Sequence, residues 1–198
     1  MPQDRRIRKS QQAIQDAFLE LLETTSFEQV SVQQIAQLAD VNRSTFYAHY
    51  LDKYDLLEKM EDESIAEIAS YTTSESKNYE ADFSEELIKN VMEKVIKHID
   101  DHMDFYRISI ESIGKDSKLV DKLYNQIYNH LNHYKNESVS DDQKIPFDYF
   151  ISYVSGAGLS MIQHWIKDPH RVDKETLVQT FYTIVSQGPA KIIRNKKI

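Results

Sequence analysis

The chain has 198 residues, a length that suits one large domain or two small ones and can bury a sizeable core. Hydrophobic residues make up 40% and charged residues 28%, the balance of a globular chain, and the absence of cysteine excludes a disulfide framework, a thiolate metal site and a cysteine nucleophile. The formal net charge is −8, against a general affinity for nucleic acid, yet Arg5-Arg6-Ile7-Arg8-Lys9 puts four cations in five residues on an otherwise acidic body.

Turn formers are sparse, with four Gly and four Pro and every Gly at or after Gly114. That pattern argues against glycine-cradled phosphate sites and favours long helices over a sandwich or barrel. Ile14, Phe18, Leu21 and Leu22 form the first apolar stripe. Ser31-Val32-Gln33-Gln34 reads as a capping box opening a second helix whose inner face is Ile35, Ala36 and Ala39. Asp40 is expected in the left-handed region that a tight turn needs, and Asn42 is expected to cap a short helix from Arg43 to Tyr50. Asp52 caps a longer helix to about Ser70, with Leu56, Leu57, Met60, Ile65 and Ile68 inward.

Residues 70–84 are polar and aperiodic and are expected to form a hinge or loop. Ser84 starts the next helix, with Leu87, Ile88, Val91, Val95, Ile96 and Ile99 inward, and a short segment from Phe105 to Ile113 stops near Gly114. Leu119, Leu123, Ile127, Leu131 and Tyr134 stripe a further helix, and 136–143 is a loop. Pro146 suits the start of a long helix to Lys167, and Asp173 caps a last helix carrying Leu177, Phe181, Ile184 and Val185. The expected fold is all-α, with roughly nine helices. No run of eighteen uncharged apolar residues predicts a membrane span, and the basic start leads into Gln11-Gln12 rather than an apolar stretch, so an intracellular, cytoplasmic protein is expected.

The informative stretch is Ser31 to Lys53, two short helices joined by a tight turn, the pattern of a helix-turn-helix. Its second helix carries Arg43, Ser44, Thr45, Tyr47 and His49, a dense set of hydrogen-bonding groups, with Phe46 and Tyr50 facing inward. Such a helix suits base edges and phosphates: Arg43 for guanine, Thr45 for a base edge or thymine methyl, Tyr47 and His49 for phosphates, and Lys53 as a further phosphate cation. Ser31 and Asn42, at the two helix starts, complete the expected DNA-binding set.

In register, Ile35-Ala36, Ala39, Val41, Thr45-Phe46-Tyr47, His49-Tyr50, Lys53 and Leu56 follow the signature I-A-x-x-A-G-V-S-x-x-T-F-Y-x-H-F-x-x-K-x-x-L. The stretch closely resembles the tetracycline-repressor-type regulators, with Asp40 where Gly is usual and Asn42 where Ser is usual. The resemblance implies an N-terminal helix-turn-helix DNA-binding domain over 1–52 and a helical effector-binding and dimerisation domain over 53–198. It further implies a homodimer formed through the last two helices, binding a palindromic double-stranded DNA operator and released by a small-molecule effector. The segment Gly156…Ile162…Trp165-Ile166 is similar to a Gram-positive subgroup that includes an activator of dihydroxyacetone-kinase operons. The alternative reading is a helical co-regulator that contacts another regulator and no longer reads an operator.

The remaining candidates are local. Ser155-Gly156-Ala157-Gly158 permits close helix approach, either to a partner copy or to a neighbouring helix of the same chain. Met103, Tyr106, Tyr124, Tyr128, Tyr153 and Trp165 are candidates for the wall of an effector pocket suited to a flat, weakly polar molecule. His98 with His102, and His130 with His133, have zinc-like spacing on an expected solvent face, but no H-E-x-x-H motif accompanies them and no metal is assigned. Gly156-Ala157-Gly158-Leu159-Ser160 mimics a nucleophile elbow only superficially, inside a helical stripe. No cofactor and no catalytic residue are expected.

Overall fold

Periodicity at 3.6 residues governs the whole chain, and the computed structural model, which describes residues 2–76, 85–132 and 146–188, contains nine α-helices and no strand among them. In chain order these are α1 Pro2–Leu22, α2 Val32–Leu38, α3 Arg43–His49, α4 Lys53–Ser76, α5 Glu85–Asp101, α6 Met103–Ile108, α7 Leu119–Asn132, α8 Phe147–Lys167 and α9 Lys174–Gln187. A π-helical turn, Ser109–Ile113, and a 3-10 turn, Gly114–Asp116, link α6 to α7. Gly114 takes φ +60°, a backbone state that costs glycine nothing and ends the segment as its sequence suggests.

The chain forms two compact units, Met1–Ser64 with Asp104–Leu119, and Ile65–Met103 with Val120–Ile198. The boundary expected after residue 52 therefore shifts. The first three turns of α4 belong to the first unit because Leu56 and Leu57 are buried in its core, and Ile108 and Ile113 join the same core from far along the chain. Around them pack Ile14, Phe18, Phe27, Ile35, Phe46 and Tyr50, each almost fully removed from water. A buried Leu, Ile or Phe contributes about 1.5–3 kcal/mol, so this cluster is what holds three short helices that are too short to persist alone.

Two polar links complete the first unit. The Glu61 carboxylate, 1% exposed, accepts from the Ser117 hydroxyl at 2.7 Å and the Lys118 amide at 3.0 Å, and the Ser64 and Tyr106 hydroxyls bond at 2.6 Å. Such buried oxygens persist only because they are satisfied.

In the second unit α5 packs on α9, and α8 packs on α9. The approach of α8 to α9 explains Gly158: a Cβ there would meet Phe181 Cε2 at 3.0 Å. Of the two readings open for the small-residue stripe, Gly158 serves its own chain. Asp173 caps α9, accepting from the Thr176 amide and hydroxyl at 2.8 and 2.9 Å, and Pro146 stands at the N-cap of α8.

Helix α4 runs to Ser76, six residues beyond the expected end, because its polar C-terminal turns still satisfy the backbone internally. The remaining part of the expected hinge, the loop at 136–143, Tyr134, His133 and the Ser84 helix start lie outside the described residues.

Candidate nucleic-acid interface and effector cavity

The tight turn between α2 and α3 is set by local chemistry. Ser31 and Gln34 form the expected capping box, the Gln34 amide donating to Ser31 Oγ at 3.3 Å and the Ser31 amide to Gln34 Oε1 at 2.9 Å. Asp40 takes φ +52°, the left-handed state expected of it. Asn42 departs from expectation: it occupies the N-cap position of α3 with extended backbone, but its exposed side chain makes no capping bond. The carbonyl of Asn42 still accepts from the Thr45 and Phe46 amides at 2.8 and 3.1 Å, so the helix starts on backbone bonds alone.

Phe46 and Tyr50 anchor α3 by burial, and the remaining positions turn outward. Arg43, Ser44 and Tyr47 are exposed and Thr45 and His49 are half-buried. Arg43 Nη2 donates to the Tyr47 hydroxyl at 3.3 Å, with the guanidinium 5.8 Å from the ring centroid, so the two side chains stand as one unit on a single helix turn. The Ser10 hydroxyl donates to the Ile7 carbonyl at 2.8 Å, and with its one proton so used it accepts from His49 Nε2 at 2.8 Å. Ser10, which sequence reasoning passed over, thus ties α3 to α1, whose first turns carry the exposed Arg5, Arg6, Arg8 and Lys9. Gln15 on α1 adds a second tie, donating to the Tyr50 hydroxyl at 3.4 Å and to Glu63 at 3.0 Å. Burial pushes the Tyr50 phenol up to about 12, so it stays a neutral donor.

Lys53 is placed differently from its expected phosphate role. Its ammonium donates to the carbonyls of Phe27 at 2.6 Å, Glu28 at 2.9 Å and Val30 at 2.9 Å, and it lies 4.9 Å from the Phe27 ring centroid and 5.6 Å from that of Tyr54. An ammonium has three protons, and all three go to the link between α1 and α2. Sequence spacing places Lys53 at the start of α4 but gives no sign of a segment 23 to 26 residues earlier that folds back to meet it.

In the second unit an apolar cavity of about 120 Å³ is lined from α5, α7, α8 and α9, by Leu87, Val91, Val95, Ile127, Ile162 and Phe181 among others. None of Met103, Tyr106, Tyr124, Tyr128, Tyr153 and Trp165 lines it. Tyr106 is buried in the first unit on Ser64, and Tyr153 is 58% exposed. Trp165 is buried with its indole N–H on the Val172 carbonyl at 2.7 Å and the Arg171 guanidinium 5.2 Å from its ring, and Tyr124 and Tyr128 stack at 6.1 Å. Aromatic content was therefore a poor guide to the cavity. The coincident aliphatic stripes of α5 and α7 were the available signal, and they read equally well as core.

The histidine pair also departs in part from expectation. His98 is 4% exposed, its Nδ1 3.0 Å from Glu67 Oε2 and its ring 4.6 Å from that of His102, so His98 is packed while His102 stays exposed as expected. Among the described residues no group of three or more His, Asp or Glu is arranged to hold a metal ion.

The N-terminal residues 14–60 match the family model described as bacterial regulatory proteins, tetR family, and residues 86–187 match one described as a transcriptional regulator C-terminal region. The chain belongs to the tetR family. This is a family of DNA-binding transcriptional regulators rather than enzymes. A curated relative, the uncharacterized HTH-type transcriptional regulator YxbF of Bacillus subtilis (strain 168), is 37% identical over 71 residues, covering 35% of this chain and 19% of that protein.

Solved structures share the fold of this tetR-family chain. A TetR transcriptional regulator from Streptococcus agalactiae 2603V superposes with TM-score 0.63 at 22% identity, over 93% of this chain and 98% of that one. The fatty acid degradation regulator FadR from Bacillus halodurans gives 0.70 at 19%, over 91% and 96%. The dihydroxyacetone kinase operon activator DhaS gives 0.53 at 20%, over 95% and 96%. Among the described residues no helix is long and apolar enough to cross a membrane.

Proposed function

We propose that this tetR-family regulator is a homodimeric repressor that binds a short palindromic operator and releases it when a small molecule enters the C-terminal unit. The observation that carries the reading is α3 itself: seven residues, one buried anchor in Phe46, and Arg43, Ser44 and Tyr47 held outward on a face with no core to fill. On an acidic chain, exposed Arg5, Arg6, Arg8 and Lys9 supply the cations that phosphates require. A two-fold dimer places two such helices in successive major grooves when they stand about 34–36 Å apart. A ligand that favours the released form by about 5.5 kcal/mol empties a nearly full operator, by population shift alone.

Arg43 and Thr45 read bases in this scheme, Ser44, Tyr47 and His49 bond to the backbone, and Ser31 and Asn42 lie at the starts of the two helices. Lys53 acts behind them, holding the α1–α2 link. The protein works where its operator is, in the cytoplasm. FadR is named as a degradation regulator and DhaS as an operon activator, so the direction of control is read from this chain's own operator.

The test is selection of operator sequences from a random duplex library, followed by anisotropy titration over a salt series. A palindromic consensus and a steep log-log salt slope are expected. Arg43→Ala should cost about 1–3 kcal/mol and relax the preference at one position per half-site. Recovery of no consensus by the intact protein overturns the reading.

A further inference from the structure

The cavity of the C-terminal unit has a composition that restricts what can enter it. Of its sixteen lining residues fourteen are apolar or Gly, and none is Asp, Glu, Lys or Arg. The other two, Gln126 and His130, are four apart on one face of α7 and give the cavity almost only apolar surface. A phosphate or carboxylate moved into such a lining loses its hydration and meets no cation, a cost that an uncharged molecule avoids. Size restricts it further. A dry apolar cavity of about 150 Å³ takes benzene, so a volume of about 120 Å³ accommodates about five carbons of a ligand.

We infer that the cavity takes the uncharged aliphatic part, about five carbons in size, of a small molecule. This rests on the reading of the protein as a ligand-released repressor and gives that ligand a chemical class. The class differs from the flat, weakly polar molecule suggested by the tyrosines and tryptophan, because Leu, Ile and Val side chains make most of the wall and Phe181 is the one phenyl ring in it. Such walls reward apolar volume and penalise charge.

The experiment is calorimetric titration of the full chain, without DNA, using 1-pentanol and pentanoate at pH 7.5. These share a five-carbon skeleton and differ in charge. Pentanol should bind at least tenfold more tightly than pentanoate. Val91→Phe, which fills the cavity, should weaken pentanol at least tenfold while leaving helical content unchanged, and Ile127→Phe should do the same from the α7 side. Pentanoate binding as tightly as pentanol, or pentanol binding unchanged in both filling variants, overturns the inference. Operator release is scored separately by anisotropy. Pentanol that binds at the cavity without releasing DNA supports the ligand class and removes the release mechanism, and a ligand-free protein that binds no operator removes the repressor reading while calorimetry still decides the cavity.

Discussion

Lys53 shows how one side chain changes meaning between spacing and structure. At the start of a helix beside a DNA reader, a lysine reads as a phosphate ligand; with three carbonyls around its ammonium it is a clamp on the link that orders α1 against α2. Hydrogen bonds to a charged group are each worth about 1.5–3 kcal/mol, and partial exposure here discounts the set. Lys53→Met should therefore lower stability by about 3 kcal/mol in urea unfolding. It should leave the salt slope of DNA binding unchanged, whereas loss of a phosphate contact in each protomer would flatten that slope by nearly 2. A flattened slope with an unchanged unfolding midpoint would restore the phosphate role.

At the scale of the element, caps and buried histidines set how the helices respond to mutation and pH. The capping box of Ser31 and Gln34 satisfies two amides that the seven-residue α2 leaves open. Ser31→Ala should cost about 1 kcal/mol, and because α2 supports α3 the loss should appear as weaker operator binding at elevated temperature. On α5, burial lowers the pKa of His98 from its ordinary 6.5, the nearby His102 adds to that, and the carboxylates of Glu67 and Asp101 oppose it.

A histidine held neutral in the folded state binds fewer protons there than in the unfolded chain, so stability falls as pH drops below about 6.5 and levels off below the folded value. The melting temperature should decline from pH 7.5 to 5.5, and His98→Gln should flatten that decline; identical slopes in the two proteins would refute the assignment. The Asp173 cap acts lower on the scale. Its bonds to the Thr176 amide and hydroxyl depress its carboxyl below 3.8, so its contribution is present above that pH and is lost as pH falls through the depressed value.

For the whole molecule the proposed dimer is the main consequence. The first turns of α8 expose Tyr149 at 76%, Phe150 at 46% and Tyr153 at 58%, an aromatic surface that water covers poorly and a second copy would cover well. Phe150→Arg should give a folded monomer by sedimentation at micromolar concentration, because an unpaired charge in an apolar seam costs several kcal/mol while within the protomer the arginine can reach water from this partly exposed site. Gly158 is unsuitable for this test, since any side chain there strikes Phe181 of its own chain. A wild-type protein that sediments as a monomer would remove the proposal.

What the sequence determined by itself was most of what neighbours within about four positions carry, the side-chain cap expected at Asn42 excepted. The helical period, the capping box at Ser31, the left-handed Asp40, the caps at Asp52 and Asp173, and the outward donors of α3 all depend on local backbone geometry, which the order of residues encodes directly. What only the tertiary structure decided was everything that joins distant segments. It set the partners of Lys53 and Ser10, the entry of Ile108 and Ile113 into the first unit, the burial of His98, and the largely aliphatic wall of the cavity. The physical reason is that an apolar stripe states which face is buried without naming what covers it. A polar group's partner likewise depends on which carbonyl or hydroxyl long-range packing brings within about 3 Å.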